Sequence, residues 1–236
     1  MELDDELQQR AFTRFLCEET KKQENMENII AKALPDVKDE AKPEMIEDDW
    51  ITNFFDKCRL ISGDEMQIIW AHILSDETNN PGKYSKRTVN LVSTLDKSDA
   101  ELFMNLCSYV WSINGRPVPL VLEVRDNIYK NNSITFDALN YLDTIGLIEF
   151  EPFPGYKLTN FSQKAILNYF GKNVNITFRN EANNELNIGH VMFSQIGYEL
   201  YQIANATSIP EFFDTSIKHW NNQVLSLEIS DENNLP

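Results

Sequence analysis

Apolar positions recur at helical spacing through the first half of the chain. From Leu3 to Leu34 there is neither proline nor glycine, and Leu3, Leu7, Ala11, Phe12, Phe15, Leu16, Met26, Ile29, Ile30 and Ala33 mark a stripe interrupted by the charged run Glu18 to Glu27. The pattern predicts one long helix ended by Leu34-Pro35, because a residue before proline is pushed out of the α region. Its polar centre fits two arrangements: packing at both ends within the monomer, which is the expectation here, or pairing with another chain. The charged, proline-containing segment Pro35 to Glu47 reads as a surface linker.

Asp48 to Trp111 is the stretch around which the fold is organised. There Trp50, Phe54, Phe55, Met66, Trp70, Leu74, Leu91, Leu95, Phe103 and Leu106 recur with polar residues between them. Asp48 and Asp49 favour a helix start before Trp50 to Leu60, since negative charge suits the first turn. Ser62 is expected to cap the next helix, Met66 to about Asp76, with Glu65 completing a capping box. Asn79-Asn80-Pro81-Gly82 predicts a turn. Ser85 should cap a helix through Leu95, and a further helix is expected from Asp99 to Ile113. Trp50, Phe54, Trp70, Leu91 and Phe103 are predicted to face inward.

The pattern changes at Asn114-Gly115-Arg116-Pro117, where short β-branched and aromatic runs begin. Val118 to Leu122 fits a short strand or the start of a helix reaching Tyr129. Ile134 to Thr144 predicts a helix with Gly146 in the capping position, followed by the strand Ile145 to Phe150 and a partner strand at Tyr156-Lys157-Leu158. That helix-then-hairpin order is winged-helix-like. A second hairpin is expected from Ala165 to Phe170 and Val174 to Phe178, then a strand from Leu186 to Phe193 and helices near Tyr198 to Ala204 and Ile209 to Trp220. The expected fold is α+β: a helical array over residues 1–113, a winged-helix-like part with antiparallel β hairpins over 114–225, and a frayed acidic tail over 226–236.

Charge narrows the function classes. Lys+Arg number 21 against Asp+Glu 37, a formal net charge of -16, which repels nucleic-acid phosphate and anionic lipid. The expected recognition helix carries Asp137 and Asp143 and no Lys or Arg, and the expected wing sets Glu149 and Glu151 against a single Lys157. Duplex DNA is therefore not an expected partner; were it bound, Lys83, Lys86 and Arg87 would be the contacts. The acidic N-terminus is no signal peptide, and no run reaches the roughly 18 apolar residues of a membrane helix. Cys17, Cys58 and Cys107 are widely spaced in apolar helical contexts and read as reduced core residues, which places the protein in the cytoplasm.

Candidate chemistry is sparse. His72, His190 and His219 are far apart and lack metal-ligand spacing. Lys57 and Arg59 flank Cys58, but neighbours in a helix point in different directions. The pairs Asp48/Asp49 and Asp64/Glu65 are accounted for by helix first turns. Tyr169, Phe170 and Phe178 could form a stacking platform, yet too few cations lie among them, and core packing explains them better. No catalytic, cofactor or metal residues are assigned. One local anomaly remains, the basic cluster Lys83-Tyr84-Ser85-Lys86-Arg87. Cations in a first turn oppose the helix dipole, so something negative should lie beside Lys83, Ser85, Lys86 and Arg87: carboxylates of the same chain, such as Asp76 or Glu77, or a bound anion or acidic partner.

The strings DDWITNFFDKCRLISGDEMQIIWAHIL and ETNNPGKYSKRTVNLVSTLDKSDAELF, with QENMENIIAKALPDV upstream and LNYLDTIGLIEF and NELNIGH downstream, resemble the bacterial family called domain of unknown function 2806. That resemblance implies a further charged, coiled-coil-like segment ahead of this chain. EMQIIWAHIL and PGKYSKRTVNLVSTLDKSDAELF are also similar in pattern to the abortive-infection Abi-alpha proteins, which implies a phage-defence setting. Neither resemblance supplies catalytic residues. The expected role is that of a non-enzymatic interaction or regulatory protein that self-associates through the long N-terminal helix. A nucleic-acid-binding winged helix, or an enzyme whose site is not legible in the sequence, is the contrasting class.

Overall fold

The structure is a computed structural model that describes residues 5–231. It is α+β, and it divides into two compact units, one ending at Lys97 and one starting at Ser98. The helix Lys97–Cys107 thus falls almost wholly in the second unit, whereas the sequence pattern grouped it with the helices before it.

In the first unit, α1 (Asp5–Ala33), α2 (Asp48–Cys58), α3 (Asp64–Asn79) and α4 (Lys86–Val92) follow the expected order. The linker contains two single turns of 3-10 helix, each with a proline at its start. Phe54 is the centre of the core: Trp50 stacks on it at 5.2 Å and Trp70 meets it edge-on at 5.1 Å. Leu91 is only half-buried, a correction to the predicted core, and Val89 and Val92 carry the buried face of α4 instead. The capping box at Ser62 does not form. Gly63 holds the N-cap position of α3 without a side-chain bond, and the Ser62 hydroxyl accepts from Asn25 Nδ2 of α1 at 3.1 Å. The contact with α1 has displaced a local bond of similar strength.

Helix α1 packs on α2 and α3 through its C-terminal half, where Asn25, Ile29 and Ala33 are buried. The packing expected at its other end is absent: Leu7, Phe12, Phe15 and Leu16 are 48–62 % exposed, and Cys17 is exposed rather than core. Length explains the difference. At about 1.5 Å per residue α1 runs about 44 Å and α3 about 24 Å, so the shorter helices end before the apolar stripe does.

The second unit opens with α5 (Lys97–Cys107) and passes directly into β1 (Val110–Ile113), so the helix expected through Ile113 stops early. Asn114 (φ 48°) and Gly115 (φ 82°) make a tight two-residue turn into β2 (Arg116–Pro119), and positive φ at both positions suits the twist of a hairpin. Beyond a single helical turn, α6 (Asn127–Lys130), α7 (Phe136–Thr144) is capped by Thr135 and ends at Gly146 (φ 85°). Strands β3 (Ile148–Phe150), β4 (Tyr156–Phe161), β5 (Lys164–Tyr169), β6 (Lys172–Thr177), β7 (Asn184–Gly189) and β8 (Val191–Phe193) follow. Then come α8 (Gln195–Tyr201), α9 (Pro210–Asn221) and β9 (Ser226–Asp231).

The main sheet is antiparallel, in the order β2-β1-β5-β6-β9, and its β5–β6 hairpin is the one the sequence predicts. Strand β9 pairs with β6 from Ser226 to Asp231, which corrects the expectation of a frayed tail; residues 232–236 lie outside the described ones. The wing hairpin does not form. Strand β3 pairs with β8, and β4 with β7. The run expected as one strand from Leu186 to Phe193 breaks at Gly189, whose φ is 85° and where a Cβ would lie 2.0 Å from the Val121 carbonyl oxygen. That turn sends the chain past β4 and on to β3.

The core of this unit is aromatic. Trp111 packs with Tyr169, Phe213 and Trp220, and Phe212 packs with Tyr109, Tyr129 and Tyr169. Among the described residues no helix is long and apolar enough to cross a membrane.

Truncating Trp70 to Ala should lower unfolding free energy by about 3–5 kcal/mol, as expected for a large aromatic side chain removed from a packed core. A denaturant melt shifted by less than about 1 kcal/mol would place Trp70 outside the cooperative core.

Candidate functional site

The loop between α3 and α4 carries the basic cluster and is fastened on every side by its own chain. The Glu77 carboxylate, 2 % exposed, accepts from the Gly82 N–H at 2.6 Å and from the Tyr84 N–H at 2.9 Å. The indole N–H of Trp50 donates to the Tyr84 carbonyl at 2.7 Å. Lys83 Nζ lies 2.6 Å from Asp76 Oδ2, and the Tyr84 hydroxyl donates to the same oxygen at 2.9 Å. Ser85 is the N-cap of α4, its hydroxyl accepting from the Thr88 N–H at 3.2 Å. Lys86 reaches Asp49 at 3.6 Å, and Arg87 is exposed. The negative charge that the cluster requires is thus present as Asp76 for Lys83 and Asp49 for Lys86. Sequence reasoning named Asp76 and Glu77 as neighbours, but not the division of labour: Asp76 meets the cation while Glu77 holds the backbone.

Beside this loop a cleft of about 380 Å³ opens between the linker and α2–α4, with Trp50 and Tyr84 at its base and Met45, Glu47 and Lys86 at its rim. Of the two carboxylates that line it, Glu77 is engaged by two backbone N–H groups, and neither histidine nor cysteine lines it.

Cys58, Cys107 and the three histidines do not line this cleft. Burial pushes the Cys58 thiol up to about 12, partly offset by a backbone hydrogen bond, and raises Cys107 well above the usual thiol range. Both shifts disfavour the thiolate that nucleophilic or metal chemistry needs. His72 faces Asp36 at 3.6 Å, and His190 Nδ1 lies 3.0 Å from the Glu151 carbonyl. Burial lowers the pKa of His219. No group of three or more His, Cys, Asp or Glu could hold a metal among the described residues. Tyr169 and Phe178 are buried in the core, while Phe170 is 44 % exposed.

Two solvent-facing apolar surfaces stand out beside these. One is the α1 face of Leu7, Phe12, Phe15 and Leu16. The other lies on α7 and the β3–β4 connection, where Phe136 meets Phe150 edge-on at 5.2 Å and Phe153 is 86 % exposed. The α1 face was legible in the sequence as a stripe, for which packing within the monomer was favoured over pairing with another chain. Phe136 and Phe153 gave no periodic signal.

Replacing Glu77 with Gln keeps the shape but turns one acceptor into a donor facing a backbone N–H. The change should cost about 1–3 kcal/mol of stability, measured by denaturant melt. A neutral result would show that the loop is not held through this carboxylate. In the native protein a thiol-reactive chromophore should label Cys17 alone in the fast phase, and Cys17→Ser should abolish that phase. Fast labelling of Cys58 or Cys107 would contradict their burial.

No curated protein and no solved structure matches the chain. The profile of the family described as "Protein of unknown function (DUF2806)" matches residues 9–216, a span that runs from the first half of α1 into α9. That match covers most of the chain, which belongs to the DUF2806 family.

Proposed function

We propose that this protein is a non-catalytic interaction and regulatory module whose α1 pairs with a second copy of the chain, and that it works in phage defence. The defence setting draws on the likeness of Glu65–Leu74 and Pro81–Phe103 to the abortive-infection proteins. The observation that carries the interaction reading is the exposed face of α1. Around the helix, Leu7, Ala11 and Phe15 fall on the same side as Asn25, Ile29 and Ala33, which are buried. The surface that packs within the chain at one end thus continues uncovered for roughly four turns. A projecting helix of this length is marginal in water without such cover.

A second copy suits the face. In an antiparallel pair with its two-fold axis at the level of Thr13, Phe15 of each copy sits over the small Ala11 of the other. The contact is shorter than the ~800 Å² per partner of a standard interface, so association should depend on concentration.

Sedimentation or light scattering from micromolar to millimolar protein should follow a monomer–dimer equilibrium. The double change Phe12→Glu and Phe15→Glu should hold the protein monomeric while leaving its core melting transition in place. A wild-type protein that stays monomeric throughout, or a double variant that still dimerises, would remove the α1 pairing.

A further inference from the structure

The second exposed apolar surface has a charge character that points to a partner of its own. Phe153, at 86 %, is the most exposed large apolar side chain among the described residues, and it stands two residues beyond Glu151, whose carboxylate accepts from the Phe153 N–H at 3.1 Å. Phe136, half-exposed on the first turn of α7, rests edge-on against Phe150 of β3. Carboxylates neighbour these rings along the chain: Glu149 and Glu151 flank Phe150, and Asp137 follows Phe136. The Tyr156 hydroxyl is pushed up by burial first and then by the negative charges of Glu149, Glu151 and Asp143. Neither α7 nor β3 contains a lysine or arginine. The nearest cation in sequence, Lys157, is paired with Glu185 at 3.2 Å.

We infer that this surface, made by α7, β3 and the β3–β4 connection, binds a cationic peptide segment carrying aromatic residues. Exposed phenyl rings with carboxylates close by in the chain are complementary to guanidinium groups, which stack on rings while donating hydrogen bonds to carboxylate. Other occupants are disfavoured by the same charges. A second copy related by a two-fold axis would set Glu149 and Glu151 against their own equivalents, and nucleic acid would set phosphate against them. The inference is independent of the α1 pairing, because the variants that test it leave α1 unchanged.

The test titrates the 236-residue chain, by fluorescence anisotropy, with three labelled hexapeptides: alternating Arg and Trp, alternating Arg and Ser, and alternating Glu and Trp. The Arg/Trp peptide should bind tightest, and its binding should weaken with salt. Phe153→Ser should reduce its affinity about tenfold, as should the pair Glu149→Gln and Glu151→Gln, each equivalent to about 1.4 kcal/mol. Phe153→Ser leaves the net charge of -16 unchanged, so it separates this surface from general attraction of cations to an acidic protein. Phe153 and Glu149 are exposed, so melting curves of these variants should overlay the wild type. No binding by the Arg/Trp peptide, equal binding by the Arg/Ser peptide, or an affinity unaffected by Phe153→Ser would each overturn the inference.

Discussion

Trp50 fastens the first unit. Its ring stacks on Phe54 and so ties α2 into the core, while its indole N–H bonds the Tyr84 carbonyl and so ties α2 to the loop before α4. Tyr84 passes the constraint on, since its N–H meets Glu77 and its hydroxyl meets Asp76, both on α3. Three elements thus converge through one aromatic pair. The consequence for chemistry is direct: Asp76 is held where Lys83 can reach it, and a cluster with the composition of an anion site is a stapled corner in which the chain supplies its own counter-charges. The buried Glu77 carboxylate, which accepts from two backbone N–H groups, fixes the geometry of the loop.

The second unit uses tyrosine in a comparable way. The hydroxyl of Tyr169 donates to the Ser108 carbonyl and accepts from the Ile209 N–H. That of Tyr129 donates to the Leu120 carbonyl and accepts from the Leu122 N–H. Each ring contributes apolar area to the core, and each hydroxyl fixes a connecting segment that would otherwise hold buried, unbonded backbone groups. Beside these interior bonds, two apolar surfaces face solvent. Those are the uncovered face of α1 and the acid-flanked aromatic patch on α7 and β3.

The parts legible in the sequence were those set by local rules. The existence of α1 to α4, the cap at Ser85 and the β5–β6 hairpin follow from spacing, a hydroxyl three residues before an N–H, and a Gly-containing turn, all of which act within a few residues. The basic cluster was visible for the same reason.

What tertiary structure alone decided were the choices between partners distant in sequence. Apolar residues mark both ends of α1, and only the shorter α2 and α3 determine that its first half stays exposed. Tyr109 to Ile113 would fit a helix face as well as a strand; pairing with β2 and β5 selects the strand. Ile148 to Phe150 could have paired with Tyr156 to Leu158, but the backward turn at Gly189, pressed against Val121, delivers Val191 to Phe193 instead. Periodicity records which face of a segment is apolar. It does not record what covers that face, because cover is set by the lengths and registers of elements far away in the chain.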